Sequence, residues 1–125
     1  MPGLPRSERL RGKENIGRLF SVGGKGAQGE VAARAVANAL DHARLAAVAG
    51  KKLGKAVKRN RMRRRLRAAF RLHKEQLPKG FDLALIARPG LLEASWTEIV
   101  SAVLKAVEKA ASGRDRGRPR RLPKT

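Results

Sequence analysis

The chain has 125 residues, with 30 Lys and Arg against 10 Asp and Glu, for a formal charge of +20. That length fits one domain. The absence of Cys excludes a disulfide scaffold and any thiolate metal site, and no apolar run approaches the ~20 residues needed to span a bilayer. Hydrophobic residues make up 42%, but 20 residues are alanine, so the core is expected to be thin. The first residues lack the apolar stretch of a secretory signal. A cytoplasmic protein with a strong attraction to a polyanion is expected.

Residues 1–12 carry Arg6, Arg9 and Arg11 among prolines and glycines and are expected to form a basic, extended N-terminus. Ile16, Leu19 and Phe20, at i, i+3 and i+4, predict a short helix over 13–22 that stops at Gly23. The run 23–29, Gly-Gly-Lys-Gly-Ala-Gln-Gly, predicts a loop. Residues 30–40 and 43–50 are rich in Val and Ala and are the best strand candidates in the first half. Lys51-Lys52-Leu53-Gly54 leads into a long basic helix over roughly 55–75. Residues 81–87 read as an apolar strand ended by Arg88-Pro89-Gly90. Ser95 and Glu98 form a capping box that opens a last helix, with Val100, Val103, Leu104 and Val107 on one face. Trp96 is expected to anchor that helix to the sheet. Residues 113–125 are a basic tail, expected to be disordered. The fold class is an α+β or α/β sandwich: one domain over 13–112, a small mixed sheet of about four strands packed with about three helices.

The basic helix carries the functional signal. No acidic residue lies between Asp41 and Glu75, and 12 of the 30 basic residues lie in 51–74. At about 100° per residue, Asn60, Arg63, Arg64, Arg67 and Arg71 share one face, while Met62, Leu66, Ala69, Phe70 and His73 share the opposite one. The first face presents a row of guanidinium groups that repel one another. The repulsion is relieved when phosphates arrive and release their counterions. Arginine prevails over lysine here, which suits bidentate phosphate contacts and favours nucleic acid over a membrane. The apolar face has no wedge suited to lipid. Nothing supplies the helix-turn-helix frame a DNA reader needs. The four aromatic residues do not form a base-stacking sheet pattern. A folded RNA read through its shape and phosphate positions fits best.

Other signals are weak. Gly24-x-Gly26-x-x-Gly29 spells a dinucleotide fingerprint but follows a helix rather than a strand. His42 and His73 lack the convergent partners of a metal site. No nucleophile–base pair is evident, so no catalytic residue is expected in the protein. From its position alone, Phe20 suits either a core or a surface contact.

The run Gly50-Lys51-Lys52-Leu53-Gly54-Lys55-Ala56-Val57-Lys58-Arg59-Asn60-Arg61, followed by Met62-Arg63-Arg64-Arg65-Leu66-Arg67-Ala68-Ala69-Phe70-Arg71, resembles the protein subunit of bacterial ribonuclease P. The similarity covers about residues 9–110. It implies a small sheet with helices and a left-handed βαβ crossover, against the usual right-handed rule. It implies a basic protein that assists a catalytic RNA in removing the 5′ leader of precursor tRNA, with Mg²⁺ held by the RNA subunit and none by the protein. The implied partners are the ribonuclease P RNA and precursor tRNA, with no membrane and no protein partner required. The RNA-binding residues implied are Lys51, Lys52, Lys55, Lys58, Arg59, Asn60, Arg61, Arg63, Arg64, Arg67 and Arg71. Ile16, Phe20 and Arg34 are implied to line a cleft for the leader. Ile16 and Arg34 stand where the family commonly has aromatic residues, and Gly50 where it has Ser. That implies a leader held less by stacking, with added charge in compensation. The alternative is a ribosomal or RNA-chaperone protein that cements folded RNA without a role in cleavage; a DNA architectural protein is a third, weaker reading.

Overall fold

The computed structural model describes residues 4–112, so the expectations placed on 1–3 and 113–125 lie outside the described residues. Four strands, β1 (Gly24–Gln28), β2 (Val31–Ala37), β3 (Arg44–Val48) and β4 (Phe81–Ala87), form one sheet in the order β1-β2-β4-β3. β2 is antiparallel to both β1 and β4, whereas β3 and β4 are parallel. Three helices accompany them: α1 (Lys13–Val22), α2 (Ala56–Leu72) and α3 (Trp96–Ala111). A parallel pair needs a long crossover, and α2 supplies it between β3 and β4. The mixed four-stranded sheet with three helices is the fold class read from the sequence.

Side chains alternate across the sheet. One face carries Val31, Ala33, Ala35, Leu45, Leu83 and Leu85, packed beneath Met62, Leu66 and Phe70 of α2 and the apolar stripe of α3. The opposite face carries Val36 and Ala84, packed with Leu19 of α1 and with Leu10. Asp82 is 2% exposed on that second face. It accepts two hydrogen bonds from the Arg44 guanidinium, both at 2.8 Å, and one from Asn38 at 2.9 Å. The group fastens β4 to β3 and to the end of β2.

The glycine-rich run is not a loop: it is the edge strand β1. Gly24 and Gly26 are buried because α3 lies directly on them. A Cβ on Gly26 would fall on the Ala106 carbonyl oxygen, 2.7 Å from the Ala110 nitrogen and 2.8 Å from the Lys109 Cβ. On Gly24 it would fall on the Ala110 carbonyl oxygen. The buried stripe of α3 is accordingly Ile99, Ala102, Val103, Ala106, Val107 and Ala110, with Val100 and Leu104 only at its margin. Small residues on both elements allow a backbone-to-backbone approach that larger ones would forbid.

Three further expectations are revised. Residues 4–10 are not extended throughout: Arg6–Glu8 is a 3-10 turn, Leu4 and Leu10 are buried, and Arg9 bridges to Leu45 beside β3. The basic helix ends at Leu72 and gives way to a 3-10 turn over Lys74–Gln76. The capping box of α3 is present, with the Ser95 hydroxyl accepting from the Glu98 N–H at 3.1 Å and Glu98 Oε1 accepting from the Ser95 N–H at 2.8 Å. Trp96, however, is 39% exposed beside His73, Val100 and Leu104. It stands on the first turn, before the buried stripe begins at Ile99.

Candidate nucleic-acid interface

The start of α2 is built against the usual electrostatic preference. Lys55 is its N-cap and makes no side-chain capping bond, and the first turn holds no acidic residue. Lys51, Lys52, Lys55 and Lys58 are all exposed around this end. Cations there oppose the helix dipole. The arrangement becomes favourable once an anion meets the unsatisfied N–H groups and the lysines together.

The polar residues of α2 divide into two groups. Arg59, Asn60 and Arg63 fix the local backbone. Arg59 Nε donates to the Gly54 carbonyl at 3.0 Å. Gly54 has φ +138°, and the Lys58 stem lies against it, which makes glycine the residue suited to this entry loop. One Arg63 nitrogen donates to Asn60 Oδ1 at 2.6 Å, and the other reaches the Ala49 carbonyl, just past β3, at 3.5 Å. Arg61, Arg64 and Arg67 point outward and are exposed, and Arg71 is half-buried a turn further on. Among the described residues, none from Lys51 to Arg67 forms an ion pair. Partial burial, then the nearby charges of Arg63, Arg9 and Arg64, push the Arg67 pKa down. Arginine nevertheless stays charged at any working pH. The apolar side of α2 packs inward as expected through Met62, Leu66, Ala69 and Phe70. His73, grouped with them by periodicity, is half-buried just past the helix. Arg9 joins the cationic row from the N-terminal segment, a contact that no local pattern signals.

The second candidate region lies on the opposite sheet face. Ile16 packs there, half-buried, against the cluster of Leu10, Leu19, Val36 and Ala84. Phe20 is 39% exposed, so Leu19 takes the core position of α1. The Arg34 guanidinium lies 5.2 Å from the centre of the Phe20 ring. Its NH1 donates to the Phe20 carbonyl at 2.9 Å and to the Leu19 carbonyl at 3.4 Å. The Phe20 carbonyl is one that the end of a helix leaves without an intrahelical partner, whereas the Leu19 carbonyl also accepts from the Gly23 N–H at 3.1 Å. The structure therefore brings Phe20 and Arg34 together, with Ile16 one turn back on α1. Beside them Ala27, Ala32, Ile86 and Val48 form a half-buried row in register across all four strands. Lys25 pairs in register with Arg34. A loop in place of β1 would not bring Lys25 and Ala27 here, so the sequence pattern gave no sign of either.

Among the described residues, no three His, Asp or Glu side chains converge as a metal site, and no helix is long and apolar enough to cross a membrane. What the surface offers is positive charge and hydrogen-bond donors.

Comparison with known proteins places these features in a family. The family model described as Ribonuclease P matches residues 4–111. A ribonuclease P protein component from Herpetosiphon aurantiacus is 35% identical over 117 residues, covering 93% of this chain and 94% of that protein. The corresponding protein from Thermotoga maritima is 42% identical over 91 residues, covering 70% and 75%. Among solved structures, the RNase P protein from Thermotoga maritima aligns with a TM-score of 0.73 at 30% identity, covering 81% of this chain and 96% of that one. The RNase P protein of Staphylococcus aureus aligns with a TM-score of 0.69 at 30% identity, covering 83% and 94%.

Proposed function

The chain belongs to the ribonuclease P protein family, and from that premise we propose that it binds the catalytic RNA subunit and the 5′ leader of precursor tRNA, supporting endonucleolytic removal of the leader. One observation carries the proposal beyond membership: from Lys51 to Arg67 a row of arginines and lysines, free of carboxylate partners among the described residues, stands on a helix and its entry loop, and the helix's other side is locked into the core. In this reading the RNA subunit performs the chemistry and holds the Mg²⁺, and the protein contributes no catalytic residue. The assembly works in the cytoplasm and requires no further protein.

The protein's contribution follows from electrostatics. Bringing a leader against a catalytic RNA concentrates two polyanions. A chain of +20 lowers that repulsion, as Mg²⁺ otherwise does. The helix face and the lysine-rich entry loop contact the RNA subunit. Phe20, Arg34 and Ile16 border the region that takes the leader. Product tRNA lacks the leader, so this region favours substrate over product.

The test is cleavage of precursor tRNA by a bacterial ribonuclease P RNA at low Mg²⁺, with and without the chain. Stimulation with correct 5′ ends, fading as Mg²⁺ rises to saturation, is expected. Tight binding to structured RNA without stimulation would refute the proposal and leave a structural RNA-binding protein.

A further inference from the structure

We infer that Arg34, stacked on Phe20 and set beside Lys25, is the specificity-determining residue of the leader region: it clamps a leader phosphate, so this chain reads the leader by backbone charge rather than by base stacking. The inference rests on the leader-cleft reading proposed above and concerns how that region grips.

Three observations support the clamp. First, the guanidinium is held in place. NH1 is committed to the Leu19 and Phe20 carbonyls, and the charged plane lies over the Phe20 ring, an arrangement attractive in itself. Among the described residues, Nε and NH2 have no partner. Those two donors form the planar fork that matches two oxygens of one phosphate.

Second, stacking is curtailed. Arg34 occupies one face of Phe20, the most exposed phenylalanine. The other aromatics are elsewhere: Phe70 is buried under α2, Phe81 packs on the main core, and Trp96 starts α3. The row Ala27, Ala32, Ile86 and Val48 offers aliphatic carbon only. Its two alanines let a nucleic-acid strand come close to the sheet, but they give a base no π surface.

Third, the charge is doubled and unopposed. Lys25 is exposed in register with Arg34 on the same sheet face, and neither forms an ion pair among the described residues. A single-stranded phosphate passing between them would meet two cations.

The test uses holoenzyme reconstituted with a bacterial ribonuclease P RNA, and compares affinity for precursor tRNA with affinity for leaderless tRNA over a KCl series. Substitution R34Q should shrink the leader-dependent gain by about 5-fold and lower its salt slope by about 0.7, the share of one single-strand phosphate. K25Q should act in the same direction. A set of leaders with one methylphosphonate linkage each should show one linkage whose neutralisation weakens the wild type by a similar factor and leaves R34Q unaffected. R34K, which keeps the charge and loses the fork, should fall between them. Equal cost of every neutral linkage in wild type and R34Q overturns the clamp, as does a leader gain that follows base identity and ignores salt. No leader gain in the wild-type holoenzyme refutes the underlying cleft reading instead. Should R34Q lower the melting temperature by loosening the end of α1, K25Q with the same linkage series decides, because the Lys25 side chain makes no hydrogen bond within the described structure.

Discussion

Replacing Gly26 with alanine should destabilise the domain, and replacing Gly17 with alanine should stabilise it. The two glycines look alike in the sequence but meet opposite surroundings. A methyl group on Gly26 falls on the Ala106 carbonyl, 2.7 Å from the Ala110 nitrogen. The obstacle is backbone, so no rotamer change relieves it. Helix α3 would have to withdraw by on the order of 1 Å, loosening Ile99, Val103 and Val107 from the core; overpacking of this kind costs about 1–3 kcal/mol, and a rigid neighbour puts Gly26→Ala near 3. At about 4–8 °C per kcal/mol in a domain near this size, the melting temperature should drop by about 12–24 °C. Gly17 is exposed on α1 and a Cβ there meets nothing within 4 Å. Removing glycine's excess backbone freedom from a helix is worth roughly 0.5–1 kcal/mol, a gain of a few degrees. Thermal unfolding followed by far-UV circular dichroism, at one pH and salt for all three proteins, checks both signs. A Gly26→Ala variant melting at or above the parent would refute the close approach of β1 and α3.

Three further outcomes follow from the charges. Substituting Arg64 and Arg67 together by glutamine should reduce the slope of log K against log [KCl] for ribonuclease P RNA by about 1–2, at roughly 0.7–0.9 for each phosphate no longer neutralised; an unchanged slope would mean that neither side chain meets phosphate. Asp82→Asn should cost about 3 kcal/mol, because it breaks a buried pair and leaves the Arg44 guanidinium with a neutral partner; a denaturant midpoint within error of the parent would refute that role. His42 sits between two acceptors, Asp41 at 2.9 Å and the Ser7 carbonyl at 3.0 Å, and only the protonated ring donates to both. Its pKa is raised, first by the Asp41 hydrogen bond and then by Ser7, while that of Asp41 is lowered by the same pair. The folded His42 value lies above the unfolded one, so its stabilisation is complete below about pH 6.5 and is lost as pH rises through the folded value; the Asp41 share is present above about pH 4 and is lost on acidification. His42→Gln should therefore lower the melting temperature more at about pH 5.5 than at about pH 8.5, and an equal effect at both would contradict the doubly bonded ring.

The basic helix was legible because everything that defines it is local. Met62, Leu66, Ala69 and Phe70 repeat at helical spacing, and the residues between them are, apart from Ala68, all arginines, so period alone separates the packed side from the presented one. Strand β1 was illegible for the complementary reason. Glycine has low strand propensity, and Gly24 and Gly26 belong in a sheet only because an alanine stripe some eighty residues later lies on them. The same coupling turned the buried side of α3 from Val100 and Leu104 toward Ala102, Ala106 and Ala110. Leu4 and Leu10 show no periodicity, and most of the residues they pack among are distant in the chain. In the leader region the resemblance supplied Ile16, Phe20 and Arg34. The hydrogen bonds that seat Arg34 on the end of α1, and the presence of Lys25 beside it, required the register of β1 with β2.

The outer margins of the sheet are both occupied, by different means. Along β3, the Leu10 N–H donates to the Leu45 carbonyl at 2.9 Å. Along β1, Lys109 Nζ donates to the Ala27 carbonyl at 3.1 Å and to Gln28 Oε1 at 3.0 Å. Unpaired strand margins recruit strands from other molecules. A shortened protein starting near Lys13 would bare the β3 margin and the apolar sites that Leu4 and Leu10 fill. Self-association of such a truncated protein, easily mistaken for oligomerisation driven by RNA, would then report a missing cover strip.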